Sequence, residues 1–274
     1  HFLKERMLFD VTLFSDGSNI QRKPKGHLYL YPLIAIAAML AIVFVMDLPH
    51  MHKPKQQLSQ TIRIPAGQRA QMDLPDGSVV WLNSQTTLTY DENFGKKDRK
   101  VTLDGEAYFE VAHNKEIPFY VQTENIKVQV TGTKFDVCSY KGSNSFIARL
   151  IEGSINLLTN NAKEEKPITS LTKGKYFSME NGKYKTGEMS SNNALAWMQG
   201  IYYFDDVPFK ELLDKIALYY NYKITVKNPK ILENYRCTGK FKDLDGIEHI
   251  LKVIQKDHPF KYNIDNEHNK ITIE

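Results

Sequence analysis

Hydrophobic and polar positions follow three different rhythms along the chain. From Leu28 to Met46 the sequence LYLYPLIAIAAMLAIVFVM runs 19 residues without a charged side chain. At about 1.5 Å per residue, a helix of that length reaches roughly 28 Å, close to the ~30 Å hydrocarbon core of a bilayer. This predicts a single transmembrane helix over 28–46. Pro32 falls in its first turns, where a missing backbone donor costs least. The run is longer than the apolar core of a secretory signal peptide, and no small-residue cleavage site follows Val45.

From Thr61 to about Met179 the rhythm shortens to two. Thr61–Ile64, Gln71–Leu74, Val79–Leu82, Leu88–Tyr90, Lys100–Leu103, Ala107–Val111, Phe119–Gln122, Ile126–Thr131, Phe135–Tyr140, Phe146–Leu150 and Ser154–Leu158 read as short strands with no helical period between them. Pro75-Asp-Gly-Ser78 supplies the turn of a hairpin. The pattern predicts an all-β sandwich, roll or solenoid-like domain over 61–180. A weak internal echo runs through it. Gly105, Gly132, Gly153 and Gly174, spaced by 21 to 27 residues, each precede an alternating stretch. Such a repeat predicts a recurring sharp turn that needs positive φ or close backbone approach. Ala107, Phe109 and Val111, and likewise Phe135 and Val137, are expected in the core.

The third rhythm begins near Ile201. Ile201–Phe204 reads as a strand and Asp205-Asp-Val-Pro208 as a helix start. Phe209, Leu212, Leu213, Ile216, Ala217 and Tyr220 then recur with the period of an amphipathic helix. Lys223–Val226 and Tyr235–Phe241 read as strands. Asp245-Gly-Ile-Glu248 reads as a capping box before a second helix with Ile247, Ile250, Leu251 and Ile254 inward. Phe260–Ile264 and Lys270–Ile273 close as a hairpin. The order β-α-β-β-α-β-β predicts a small α+β domain over 200–274, with two helices on one face of a sheet. Between the blocks, 47–60 is a polar tether and 181–199 a linker, within which Asn193–Met198 forms a helical turn or two that packs Trp197.

Charge orients the chain. Arg22, Lys23 and Lys25 precede the apolar run and Asp47 follows it, so the positive-inside rule puts 1–27 in the cytoplasm and exports the rest. The expected product is a single-pass inner-membrane protein with periplasmic C-terminal domains. The sequence opens on His1, so 1–27, with its apolar cluster from Phe2 to Phe14, is expected to be a truncated piece of a longer cytoplasmic region. A net charge of +4 is too mild for nucleic-acid binding. Cys138 and Cys237 fall in different predicted domains and are expected to stay unpaired. His50 and His52 lie on the tether and are read as solvated. Asp104 with Glu106, and Asp205 with Asp206, are carboxylates close in sequence, but they read as turn and helix-cap residues. No catalytic, cofactor or metal residue is expected. Trp81, Tyr108 and Tyr202 are the aromatic faces that a sugar-binding module would use, although alternation places Trp81 beside core residues.

Several stretches in fixed order carry a family resemblance: Ile64-Pro-Ala-Gly67, Leu74-Pro-Asp-Gly-Ser-Val-Val-Trp-Leu-Asn83, Leu103-Asp-Gly-Glu-Ala-Tyr-Phe-Glu-Val111, Pro118-Phe-Tyr-Val121, Val130-Thr-Gly-Thr-Lys-Phe-Asp-Val137 and Leu150-Ile-Glu-Gly-Ser-Ile155. Together they resemble the FecR family of single-pass anti-sigma regulators, in its Bacteroidetes style. Tyr203-Phe-Asp-Asp-Val-Pro-Phe209 and Leu218-Tyr-Tyr-Asn-Tyr222 resemble that group's C-terminal domain, which is similar to the secretin/TonB short N-terminal domain. The resemblance implies two partners. One is an extracytoplasmic-function sigma factor on the cytoplasmic side, held in the family by an N-terminal domain longer than 1–27. The other is the N-terminal signalling domain of a TonB-dependent outer-membrane transporter on the periplasmic side. A small sheet can take up a partner strand at a free edge. Ile201, Tyr202, Tyr203 and Phe204, or Ile271, Thr272 and Ile273, are the residues expected to offer one. The alternative is a membrane-tethered periplasmic module that binds glycan or protein without regulating a sigma factor.

Overall fold

A computed structural model describes residues 30–47, 58–160, 165–189 and 192–274. The apolar cluster within 1–27 and His50 and His52 of the tether lie outside the described residues. The chain divides into two units, His1–Gln56 and Gln57–Glu274. In the first, Leu30–Asp47 forms the 18-residue helix α1, within about two residues of the predicted 28–46. At about 1.5 Å per residue it is roughly 27 Å long. It falls just short of the ~30 Å hydrocarbon thickness, and it ends on a charged residue. Among the described residues no helix is long and apolar enough to cross a membrane.

The second unit opens with a β-roll. Its strands are β1 (Ser59–Arg63), β2 (Ala70–Asp73), β3 (Val79–Leu82), β4 (Thr87–Asp91), β5 (Arg99–Glu110), β6 (Phe119–Gln122), β7 (Ile126–Val130), β8 (Lys134–Ser139), β9 (Ser145–Glu152), β10 (Ser154–Thr159), β11 (Pro167–Thr172), β12 (Lys175–Glu180) and β13 (Lys183–Glu188). They form two layers. One holds β1, β4, the first half of β5, β6, β7, β10 and β11. The other holds β2, β3, the second half of β5, β8, β9, β12 and β13. The chain winds from layer to layer, mostly one hairpin at a time. The alternating apolar residues of both layers meet in one core, with Phe109 stacked on Phe135 at 5.0 Å and packed edge-on against Phe119 at 5.9 Å.

The glycine echo marks the corners of this winding. Gly105, Gly132, Gly153 and Gly174 each sit where the chain passes between layers. Gly105 shows why. Its φ is +137°, and a Cβ there would stand 2.4 Å from Thr86 Oγ1. It lets β5 run continuously from one layer into the other, where the sequence reading had two strands. A second correction concerns 181–199. The expected linker contains the strand β13, while the helical turn predicted over 193–198 is present as a 3-10 helix, Asn192–Gln199, that buries Trp197. The side chains of β13 are mostly exposed, so no alternation marked it as a strand.

The C-terminal module follows the predicted order: β14 (Ile201–Pro208), α2 (Phe209–Tyr220), β15 (Lys223–Val226), β16 (Arg236–Lys242), α3 (Gly246–Asp257), β17 (Tyr262–Asp265) and β18 (Lys270–Ile273). Its strands do not form the expected single sheet. β14 pairs with β16, and β15, β18 and β17 form a separate three-stranded sheet. The inward faces of α2 and α3 share one core with both sheets. Asp205 and Asp206 are not in the first helical turn. They form a bulge in β14, with Asp206 at φ +48° and its carboxylate accepting from Arg236 Nε at 2.8 Å. Nor does Asp245 cap α3 with its side chain. It reaches back to accept from Lys242 N at 3.0 Å.

Candidate functional site

The β-roll and the C-terminal module meet at the last turn of α2. A helix leaves its final carbonyls without intrahelical donors. Asn221, at φ +58°, closes α2 from within the module, and its N–H reaches Leu218 O at 3.3 Å. Tyr222 N–H likewise reaches Ala217 O at 2.9 Å, and further donors come from the roll. Gly67 N–H and Ser84 Oγ both donate to Tyr219 O, at 3.0 and 2.9 Å, and Gln85 Nε2 donates to Leu218 O. Arg69 of the roll pairs with Asp243 of the module at 3.0 Å, and within the module Tyr202 stacks on Tyr219 at 4.3 Å. Each module therefore satisfies polar groups of the other, and the two form one body.

A cluster of buried charges lies just behind this joint. β5 carries Glu106, β8 carries Asp136 and β9 carries Arg149, brought side by side by the register of the three strands. Arg149 Nη1 lies 2.5 Å from Asp136 Oδ2 and 3.7 Å from Glu106 Oε1. Asn83 Nδ2 donates to Glu106 Oε2 at 2.6 Å and Tyr219 Oη reaches the same oxygen at 3.4 Å, while Trp197 Nε1 donates to Asp136 at 3.4 Å. Two carboxylates thus share one guanidinium. Burial, then the neighbouring Asp136, pushes the Glu106 carboxyl up to about 7. Burial also raises Asp136, against the pull of Arg149. Burial works against a charged Arg149, but the two carboxylates outweigh it and hold the guanidinium protonated.

Glu106 and Arg149 of the cluster form the floor of a cleft of about 270 Å³. One wall is β14, whose residues 201 to 205 all line it. Successive side chains of a strand point to opposite faces, so an unbroken run of lining residues means that the backbone edge itself faces the cleft. Among the described residues β14 pairs with β16 alone, and this edge carries no strand. The opposite wall includes Tyr176, Glu188 and Met189 from β12 and the end of β13. Tyr202 also lines the cleft and has a buried hydroxyl without a partner in the described structure.

The residues predicted to offer an edge therefore divide. Ile201, Tyr202, Tyr203 and Phe204 lie on an open strand edge. Ile271, Thr272 and Ile273 lie in β18, the middle strand of its sheet, with ladders on both sides. β15 closes one side in parallel and the hairpin partner β17 the other, so no partner strand can add there. Tyr108 and Tyr202 are buried and Trp81 is packed edge-on against Tyr108 at 5.5 Å. The two buried tyrosines offer no open face to a sugar, and Trp81 is half-buried. Cys138 and Cys237 are both free thiols. The sequence reading missed the cluster because it paired Glu106 with Asp104. The Gly105 bend separates the two, and Asp104 instead accepts from Lys141 N at 2.8 Å. One signal was present: Gly67, Asn83, Glu106, Asp136, Leu218 and Tyr219 all belong to the motif stretches, and all converge on this joint.

The comparisons fit this arrangement. The family model described as FecR protein matches residues 60–156, and the model described as FecR, C-terminal matches 201–273, more than half of the chain together. Two crystal structures of a candidate anti-sigma factor from Parabacteroides distasonis ATCC 8503 have the same architecture. One superimposes with a TM-score of 0.67 at 25% identity, covering 79% of this chain and 98% of that one. The other has a TM-score of 0.67 at 24% identity and covers 78% and 98%. No curated protein matches the chain. With the β-roll and the C-terminal module matched separately and in order, this chain belongs to the FecR family.

Proposed function

We propose that the chain is an anti-sigma regulator that relays a signal from an outer-membrane TonB-dependent transporter to an extracytoplasmic-function sigma factor. The observation that carries this reading is the ordered match of both FecR modules, together with the shared architecture of the Parabacteroides protein. Its role is regulatory rather than enzymatic. The uncharged run Leu28–Met46 and its basic N-terminal flank support a single-pass inner-membrane anchor, with the N-terminus in the cytoplasm and the two modules in the periplasm. The open edge of β14 supports docking of the transporter's N-terminal signalling domain by strand addition. The joint supports a rigid relay, because a partner bound at β14 pulls on the roll through the capped end of α2.

Two experiments test this. A pull-down of the natural protein, including any residues before His1, against the sigma factor encoded beside it should depend on the segment before Leu28. A photocrosslinker at Tyr203 should capture the transporter's signalling domain, whereas one at Thr272 should not. Capture from Thr272 alone, or no sigma binding by the natural protein, would overturn the reading.

A further inference from the structure

We propose that the cleft beside β14 is a binding site for the basic side chain, lysine or arginine, of an extended partner segment, with Glu106 as its buried counter-ion. This rests on the strand-edge reading above and deepens it. The edge alone would accept any extended backbone, and the cleft floor adds a chemical requirement.

The charges are unbalanced towards acid. Glu106, Glu188 and Asp205 line the cleft and Asp136 lies directly behind, against Arg149 and Lys215. Glu106 has only a share of one cation: Arg149 lies closer to Asp136, at 2.5 Å, than to Glu106, at 3.7 Å, and Lys215 is paired with Glu211 at 2.8 Å. Asp205 and Glu188 make no ion pair among the described residues. The walls are aromatic: Tyr176, Trp197, Tyr203 and Phe204. Aromatic walls over a carboxylate floor favour a cation with a long aliphatic stem. Tyr202 lines the same cleft, and its buried hydroxyl has no partner among the described residues.

Binding has a proton consequence. The groups facing Glu106 are Asp136 and Cys138 from β8, Tyr140 after it, Arg149 from β9, Lys215 and Tyr219 from α2 and Tyr202 from β14. Burial raises Cys138 and the three tyrosines above their ordinary values, so they stay neutral at neutral pH. Below about pH 7 Glu106 holds a proton. An arriving ammonium or guanidinium keeps its own protons, so the Glu106 proton leaves to solvent as the ion pair forms.

The test uses the full chain and two synthetic peptides, acetyl-Thr-Val-Lys-Val-Thr-amide and its counterpart with Gln in the central position. Titration calorimetry in two buffers of different ionisation enthalpy measures affinity and protons released. The lysine peptide should bind at least tenfold more tightly than the glutamine peptide at pH 8, lose that advantage by pH 5.5, and release up to one proton near pH 6. Glu106→Gln, which keeps an acceptor for Asn83, should remove the preference and the proton release and leave the glutamine peptide unaffected. Equal binding of both peptides at pH 8, with Tyr203 crosslinking intact, overturns the cation site and leaves the edge reading standing. Binding of neither peptide, or a preference that survives Glu106→Gln, also overturns it. Proton release by the unmutated chain decides the question without relying on the variant.

Discussion

Glu106 and Asp136 share one guanidinium in a buried cluster, which makes the stability of the fold depend on pH in a calculable way. Burial first, and Asp136 second, raise the Glu106 carboxyl from 4.5 to about 7. Between these values the folded chain holds a proton that the unfolded chain has released. Stability therefore falls as pH rises through about 4.5 to 7, and this group contributes no further change above that. At about 1.4 kcal/mol per unit, the loss is about 3 kcal/mol. Glu106 is only 4% exposed, so solvent screening leaves the figure largely intact. The perturbation is Glu106→Gln, which cannot ionise and still accepts from Asn83. Urea unfolding of the full chain at pH 5 and pH 7.5, followed by tryptophan fluorescence, gives the comparison. Trp197 bonds to Asp136 and reports on this joint. Wild type should lose about 2 kcal/mol more than the variant between the two conditions, the part of the window that lies above pH 5. Subtracting the variant removes the contribution of groups such as Asp265 and Glu274, whose carboxyls are held below their ordinary values by His268 and Lys227. Equal losses in the two proteins would refute the argument that Glu106 is buried with an incomplete counter-charge.

Further substitutions test other parts of the structure. Gly105→Ala should abolish folding or lower Tm by more than about 10 °C, because its Cβ would enter Thr86 at a φ that L-residues rarely adopt, whereas Gly174→Ala, with open space around it, should cost only about 1 kcal/mol. Arg99 is 2% exposed, pairs with Asp76 and donates to the carbonyls of Ala112, Asn114 and Ile117. Arg99→Met should therefore cost about 3–5 kcal/mol in chemical denaturation, and a cost below about 1 kcal/mol would contradict that bonding. Ser84→Ala removes the hydroxyl that bridges Gly67 N and Tyr219 O. It should cost about 1–3 kcal/mol and speed amide exchange at the end of α2 before the core of the roll. An unchanged exchange pattern there would count against the shared cap.

Much of the architecture was legible because it is local. The period of two in Val79–Leu82 and Ile126–Val130 and the 3.6-residue period of Phe209–Tyr220 are properties of contiguous residues, and they fix which face is buried wherever the core lies. The four spaced glycines announced the corners for the same reason, since a backbone that needs φ above zero or no Cβ leaves its mark at one position. What the tertiary structure alone decided is which strands are neighbours. It made β5 one strand across Gly105, gave the polar β13 a partner, split the C-terminal strands into two sheets, and left β14 open while closing β18 on both sides. It also gathered Glu106, Asp136 and Arg149 from three strands into one buried cluster and capped α2 with donors from Gly67, Ser84 and Gln85. Pairing order and charge proximity depend on residues far apart in the chain, and their energies arise only when the modules close on each other and exclude water. A local pattern can say that Glu106 stands beside a turn, but only the closed fold makes it a buried acid facing a cleft.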